Sequence, residues 1–383
     1  MQTWALFWHI RDLTEAPIAL GGVGLARLLP IVIFSLIGGS IADAFNRRTI
    51  LFITQTVMVL TAFSLFYLTF SGQIALWHMY LLTAIQAMAT AFDSPARQSL
   101  VPNLVPREEL ANAFSMTSIA FQAGSVAGPA LSGLVIAYLG QSAAYLFNAL
   151  SYGAVFAALI LIGTIPQIIE TKGQKALSLS SIREGIHFIA NQPLILSTML
   201  IDFFATFFSA ATTLLPIVAR DILGVGAVEY GWLSASLSFG AMLASLVVSQ
   251  LTVLRKQGRV FLTAVMLFGL ATISFGLSQT LLWAILSLMM IGATDSVSMI
   301  IRNTIRQLQT PDYIRGRMIS INQIFFMGGP QLGEVEAGLV AQFAGARVAI
   351  VSGGMGCMIA VALIARRWPQ LLNYNGDEEA VAS

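Results

Sequence analysis

Charge is what this chain has least of. Only 10% of its 383 residues are Asp, Glu, Lys or Arg, where a water-soluble protein carries about 25%, so these residues cannot clothe a globular core. Cysteine occurs once, at Cys357, inside an apolar run; a single thiol excludes an internal disulfide framework, and its expected role is helix packing. Three scattered histidines argue against a metal site and leave a hydrolytic triad without support. No stretch has the spacing of a phosphate-binding loop, so ATP hydrolysis is not indicated. No cofactor, metal or nucleic-acid partner is expected, and the chain does not read as an enzyme.

Apolar residues are what it has in abundance, at 57% of the chain with a mean hydropathy of +0.80. A spanning helix needs about 20 of them. Runs of that order lie near 17–42, 49–71, 76–96, 110–139, 142–165, 194–219, 227–253, 260–278, 281–302, 318–344 and 347–365. These are eleven, an odd number, and they predict an all-α membrane protein embedded in a lipid bilayer. Ahead of them, Met1 to Ile10 is apolar and aromatic but half the length of a span. It lacks the basic start and small-residue cleavage site of a signal peptide, so it reads as the outer half of a first helix.

Between the first two runs lies Gly39-Ser40-Ile41-Ala42-Asp43-Ala44-Phe45-Asn46-Arg47-Arg48. A carboxylate with two guanidiniums four and five residues on is costly at the membrane surface unless paired or wetted, and basic loops mark the cytoplasmic side. Gly39, Asp43, Arg47 and Arg48 resemble the loop between helices two and three of the major facilitator superfamily. The resemblance implies a twelve-helix transporter of two six-helix halves, with eleven complete membrane helices here and a truncated first one. It also implies that this loop braces one conformation and releases it during the cycle. Ala44 replaces a usual basic residue and Asn46 a usual glycine; Asn46 is expected in the left-handed backbone that asparagine tolerates.

The chain repeats itself. Arg97-Gln98-Ser99-Leu100 and Pro106 align with Arg302-Asn303-Thr304-Ile305 and Pro311 at an offset of 205 positions, which also pairs Ser115 with Ser320 and Gly133 with Gly338. Arg11-Asp12 aligns with Arg220-Asp221 at an offset of 209. Two similar halves follow, as in parallel-repeat transporters. The same offset puts the counterpart of Leu194 about fifteen residues before Met1, so Met1 is expected to be internal to a longer first helix. The expected parts are a first half at 1–165, a cytoplasmic linker at 166–193, a second half at 194–368 and a disordered tail at 369–383. Within the linker, Ile182, Ile186 and Ile189 share one face of an amphipathic surface helix.

Basic residues supply the orientation. With Arg47 inside, sixteen of the twenty fall in inner segments, among them Arg255, Lys256 and Arg259. Only Arg11, Arg220 and Arg347 fall outside, and Arg27 lies within a helix. The C-terminus is then cytoplasmic, in a multi-pass bacterial inner-membrane protein.

Three sets of residues carry the expected chemistry. Gly124-x-x-x-Gly128-Pro129, followed by Ser132 and Gly133, lets a neighbouring helix approach closely and permits a bend; it resembles the helix-five signature of exporters in the superfamily. Asp93 and Arg97, four apart, can pair along a helix end. The stretch around them, from Phe92 to Pro102, and Arg107 to Ala113 after it, resemble the branch of enterobactin exporters and macrolide-efflux proteins. In that fold Gly39, Asp43, Arg47, Arg48, Asp93 and Arg97 gather as an inner-face gating cluster. The third set is the ionisable residues within apolar runs, Arg27, Asp202, Asp295, Glu334 and Glu336. A charge at the bilayer centre costs at least about 2.5–3.5 kcal/mol, so each needs a cavity or a partner. Glu334 follows the small-residue face and is favoured over Glu336, about 200° around the helix. Asp202, Asp295, Glu334 and Arg27 are the candidates for coupling to protons or substrate. Phe203, Phe204, Phe207, Phe208, Phe325 and Phe326 are expected to pack rather than line a pocket.

The resemblance implies a monomer that exports a small amphipathic compound, a siderophore or drug-like molecule; proton antiport is the expected energy source, although the helix-four arginine of many drug–proton antiporters is absent here. A non-transporting membrane sensor or a nonfunctional remnant is the alternative, which the incomplete first helix would favour.

Overall fold

The computed structural model describes residues 1–106, 109–163, 179–208, 212–250 and 255–376, without the side chains at 35–40, 42–44, 102, 111, 114, 179–183 and 312–324 except 314, 318, 321 and 322. All regular structure among the described residues is helical. The elements are α1 (Gln2–Leu13), α2 (Ile18–Ala44), α3 (Arg47–Phe70), α4 (Leu76–Leu100), α5 (Leu110–Ile162), α6 (Leu179–Ala190), α7 (Pro193–Phe208), α8 (Leu215–Ile217) with a π-turn at Val218–Ile222, α9 (Ala227–Ser249), α10 (Gln257–Gly276), α11 (Leu281–Leu308), α12 (Asp312–Ala344), α13 (Ala346–Arg367) and α14 (Pro369–Asn373). Among the described residues six helices are each long and apolar enough to cross a membrane: Arg47–Phe70, Ser115–Ile162, Ala227–Ser249, Gln257–Gly276, Leu281–Leu308 and Ala346–Arg367. The count covers the described residues and differs from eleven where helices are long or carry charge. Ser115–Ile162, at 48 residues, has the length of two spans. Asp93 and Arg97 fall within α4 and Glu334 and Glu336 within α12, lowering their hydropathy, and the described apolar part of α2 is Ile18–Phe34.

The helices group into two compact units, Met1–Glu15 with Leu25–Leu177 and Ala16–Gly24 with Ser178–Ser383. In the first, α1 packs on α4 and α5, and α3 packs on both of these. Ile50 and Leu51 of α3 meet Ala96 and Leu100 of α4 and Leu159 of α5 in one apolar cluster. Asn46 caps α3, its side chain accepting from the backbone N–H groups of Arg48 and Thr49 at 3.0 and 3.3 Å. Its φ of −63° and ψ of 113° are extended. The left-handed turn expected there does not form, because the asparagine oxygen satisfies the orphan donors of the first turn instead. At Gly140 φ is 81° and ψ 171°, and α5 breaks there into two helices. Only glycine adopts that conformation without strain, and this is the interruption expected between 139 and 142.

In the second unit α11 packs on α9 and α10, α10 on α13, and α12 and α13 on α7. Backbone contact decides the closest crossing: a Cβ on Gly292 would lie 1.8 Å from the Leu237 carbonyl oxygen, and one on Gly240 2.0 Å from that of Met289. The start of α2 also belongs here, its Gly21 abutting Gly338 of α12, where a Cβ on Gly338 would lie 2.9 Å from the Gly21 Cα. Helix α6 meets α7 with a bend of 96°, and Ile189 is buried against Ile195, Met199, Met318 and Ile321. Ile186, expected on the same face, is exposed.

The tail needs a correction. Pro369–Asn373 is helical, Leu371 and Tyr374 are buried, and the Tyr374 carbonyl accepts from the Gly258 N–H at 3.0 Å. Two large apolar side chains give these residues enough burial to offset the cost of ordering them. The rest of the expected disordered tail, 377–383, lies outside the described residues.

Candidate functional site

The second unit holds a buried charge cluster. Asp202, two turns into α7 and 2% exposed, faces two guanidiniums from α11. Arg302 Nη2 lies 3.1 Å from Asp202 Oδ1, close enough for an ion pair although not aligned as a hydrogen bond. Arg306 Nη2 donates to Asp202 Oδ2 at 3.3 Å and to the Thr198 carbonyl at 2.9 Å, and its Nε donates to Thr198 Oγ1 at 3.2 Å. Both arginines are buried, at 3% and 2% exposure. One helical turn apart, they share the face of α11 that meets α7. Arg302 Nη1 also donates to Ser298 Oγ at 3.1 Å and lies 3.4 Å from Asp295 Oδ1. Asp295 is the outermost member, with a side chain 45% exposed.

Asp295 leads into a cavity of about 310 Å³. Its walls come from α7, α9, α10, α11 and α12, apolar through Leu237, Phe268, Leu288 and Ile291, and polar through Thr206, Ser238, Asp295 and Glu334. Two of the expected coupling carboxylates therefore share one chamber, and Glu336 is not in its wall. Gly24 makes room for Glu334: a Cβ there would lie 2.4 Å from the Gln331 carbonyl oxygen and 3.0 Å from Glu334 Oε2. Asp202 is not in the wall; its carboxylate is linked to Asp295 by Arg302, and its carbonyl accepts from the wall residue Thr206 at 2.8 Å. The six phenylalanines are not in the wall either; Phe203 meets Phe325 edge-on at 6.0 Å, as packing.

In the first unit Asp93, 6% exposed, collects four donors: Thr54 Oγ1 at 2.9 Å, Gln55 Nε2 at 2.7 Å, and Arg97 Nη2 and Nε at 2.9 and 3.1 Å. A carboxylate with that many donors is a satisfied buried charge. Arg47 Nη1 donates to the Ser99 carbonyl in the last turn of α4, and Arg48 Nε to the Leu159 carbonyl in the last turn of α5, both at 2.9 Å. Cations on the carbonyl ends of two helices complement their dipoles and tie the start of α3 to both. Of the remaining members of the expected cluster, Gly39 lies within α2 and the Asp43 side chain is outside the described residues.

Arg27 sits over the Phe7 ring, 5.5 Å from its centroid, and lines a second cavity of about 220 Å³ with Gln2, Thr83 and Gln86. A chain of amides backs this wall: Asn148 Nδ2 donates to Gln2 Oε1 at 2.5 Å, Gln2 Nε2 to Gln86 Oε1 at 2.6 Å, and Gln86 Nε2 to the Tyr152 hydroxyl at 3.2 Å. In the small-residue motif, Gly128 lies against Met1, Ser132 donates to the Met1 carbonyl at 3.2 Å, Gly133 is buried and Gly124 faces open space. Pro129 lies within α5 between them.

Arg302 entered the sequence reading as the repeat counterpart of Arg97, whereas Arg306, Thr198, Thr54, Gln55 and the amide chain were not singled out. The signal available for the arginines was their spacing, since Ser298, Arg302 and Arg306 form one stripe at intervals of four.

Among solved structures, a bacterial homolog of the human lysosomal transporter Spinster, in an inward-facing and unoccupied conformation, superimposes with a TM-score of 0.74 at 16% identity, covering 97% of this chain and 96% of that one. The peptide transporter POT gives 0.75 at 10%, covering 97% and 92%. Among sequences, the uncharacterized MFS-type transporter YfiS of Bacillus subtilis is 25% identical over 360 residues, 91% of this chain and 84% of that protein. The enterobactin exporter EntS of Shigella boydii is 26% identical over 283 residues, 74% and 67% respectively. The family match and the fold together point to a multi-pass membrane transporter rather than an enzyme. The chain belongs to the major facilitator superfamily, matching over residues 1–379 the family described as transmembrane secretion effector.

Proposed function

We propose that this transporter exports a small amphipathic compound, siderophore or drug-like, across the bacterial inner membrane by alternating access in exchange for protons. It works as a monomer of two six-helix halves with its C-terminus in the cytoplasm. The observation that carries the reading is the position of Asp295, in the wall of the 310 Å³ cavity and 3.4 Å from Arg302. A proton or a cationic substrate arriving at Asp295 removes one of the two acids that hold Arg302, and Arg302 then answers to Asp202 alone. Occupancy of the cavity is thereby converted into a change in the α7–α11 contact, the kind of bistable element that coupling requires. Glu334 is the second proton carrier, facing the same chamber. Apolar walls with few polar groups suit an amphipathic ligand, and similarity to an enterobactin exporter supports a siderophore-like cargo. Gly39, Asp43, Arg47, Arg48, Asp93 and Arg97 act as the gate brace at the basic end, and Gly124, Gly128, Pro129 and Gly133 as the flexible exporter face.

The test is pH-gradient-driven transport in everted membrane vesicles, together with siderophore and antibiotic accumulation in an efflux-deficient host. Glu334→Gln and Asp295→Asn are expected to abolish gradient-driven flux at normal expression. Flux unchanged in Glu334→Gln retires Glu334 as a proton carrier. Flux that runs without a proton gradient retires proton exchange.

A further inference from the structure

A third cavity, of about 450 Å³, lies away from the coupling residues, between α9, α10 and α11. Its rim carries Arg255, Lys256 and Arg259, and its floor is apolar, from Ala264 and Leu267 of α10 and Val297 of α11. Arg255, Lys256 and Arg259 are all exposed, and the first turn of α10 contains no acid. Among the described residues none of the three forms an ion pair, and no carboxylate lines the cavity. Lys256, the one described non-glycine residue with a left-handed backbone, at φ 56°, makes the turn that sets Arg255 and Arg259 on the same rim.

The charge lies at one end and the apolar surface runs away from it. From Arg259 to Leu267 the groove follows α10 for about 12 Å. Leu267 and Leu270 are exposed on the outer side of this membrane-spanning helix, where the surroundings are hydrocarbon. Lysine and arginine side chains at such helix ends extend to headgroup level. We infer that this groove is a binding site for an anionic glycerophospholipid, its phosphate held by Arg255, Lys256 and Arg259 and an acyl chain lying over Ala264, Leu267 and Val297. Among the described residues these three cations have no acid beside them, which selects a net-negative headgroup over a zwitterionic one.

The experiment is native mass spectrometry of the purified full chain with phosphatidylglycerol, phosphatidylethanolamine or inorganic phosphate added. The wild-type chain should retain phosphatidylglycerol in preference to phosphatidylethanolamine. Replacing Arg255, Lys256 and Arg259 together by Gln should weaken that retention on the order of tenfold or more. Thr263→Trp fills the groove without touching the cations and should weaken it too. The Arg366→Gln, Arg367→Gln double variant removes basic charge elsewhere and should retain lipid normally, with thermal unfolding confirming that each variant is folded. Retention by the triple variant equal to wild type overturns the site, as does retention by Thr263→Trp equal to wild type. Equal loss in the Arg366/Arg367 control overturns it as general surface attraction, and displacement of the lipid by equimolar phosphate overturns the lipid as occupant. If the triple variant does not express, Thr263→Trp and the control decide alone.

Discussion

Asp202 is the acid between Arg302 and Arg306, all three almost wholly buried. Removing the acid leaves two guanidiniums facing each other out of water. Breaking a buried pair from one side costs about 3–5 kcal/mol, so Asp202→Asn should lower the thermal midpoint of the detergent-purified protein by several degrees. Asp202→Asn combined with Arg306→Met should recover part of that loss, since one stranded charge is removed with its partner. A midpoint unchanged in the single variant would mean that the pair contributes nothing net. Asp202 was legible in the sequence as an acid inside an apolar run, and so was its need for a partner. Which residue answers it was not: Thr198 and Arg306 are 108 positions apart, and no periodicity relates α7 to α11. Asp93 is the contrasting case. Its partner Arg97 is four residues away on the same helix and could be read directly, whereas Thr54 and Gln55, on α3, could not.

At the scale of elements, most helices follow the apolar runs, and the differences lie at their ends. Helices α4 and α11 continue to Leu100 and Leu308, past runs expected to stop at 96 and 302, because a helix that carries charge at its end can project beyond the hydrocarbon. Helix α7 is described to Phe208, and Leu215–Ile217 lies within the run to 219 as a separate short helix. The break inside α5 was legible because a glycine stood where two runs met. At its φ of 81° and ψ of 171° an alanine carries strain of about 1–3 kcal/mol. Gly140→Ala should therefore lower the thermal midpoint by a few degrees, while the same change at Gly124, which is helical and faces open space, should leave it level or slightly higher. Equal effects at the two positions would mean that the α5 break is not held by glycine.

For the whole molecule, orientation is the testable quantity. If the basic ends lie in the cytoplasm, cysteines placed at Arg47 and at Arg255 in a Cys357→Ser background should both react with an impermeant maleimide in everted vesicles and stay protected in intact cells. Labelling of the two from opposite sides would break the topology. The repeat was legible here through residues such as Arg97 and Arg302, yet the halves use that position differently. Arg97 has a side chain 49% exposed and pairs locally, while Arg302 is 4% exposed and reaches across to α7. Alignment finds the shared position and not the divergence, because burial depends on the surrounding helices.

The docking of the short terminal helix onto Gly258 has a practical side. A Cβ on that glycine would lie 1.6 Å from the Leu371 carbonyl oxygen, so this short helix is seated with no clearance. A fluorescent reporter or affinity handle joined at Trp368 would unseat it, and any fusion meant to leave the carrier intact should begin beyond Gly376.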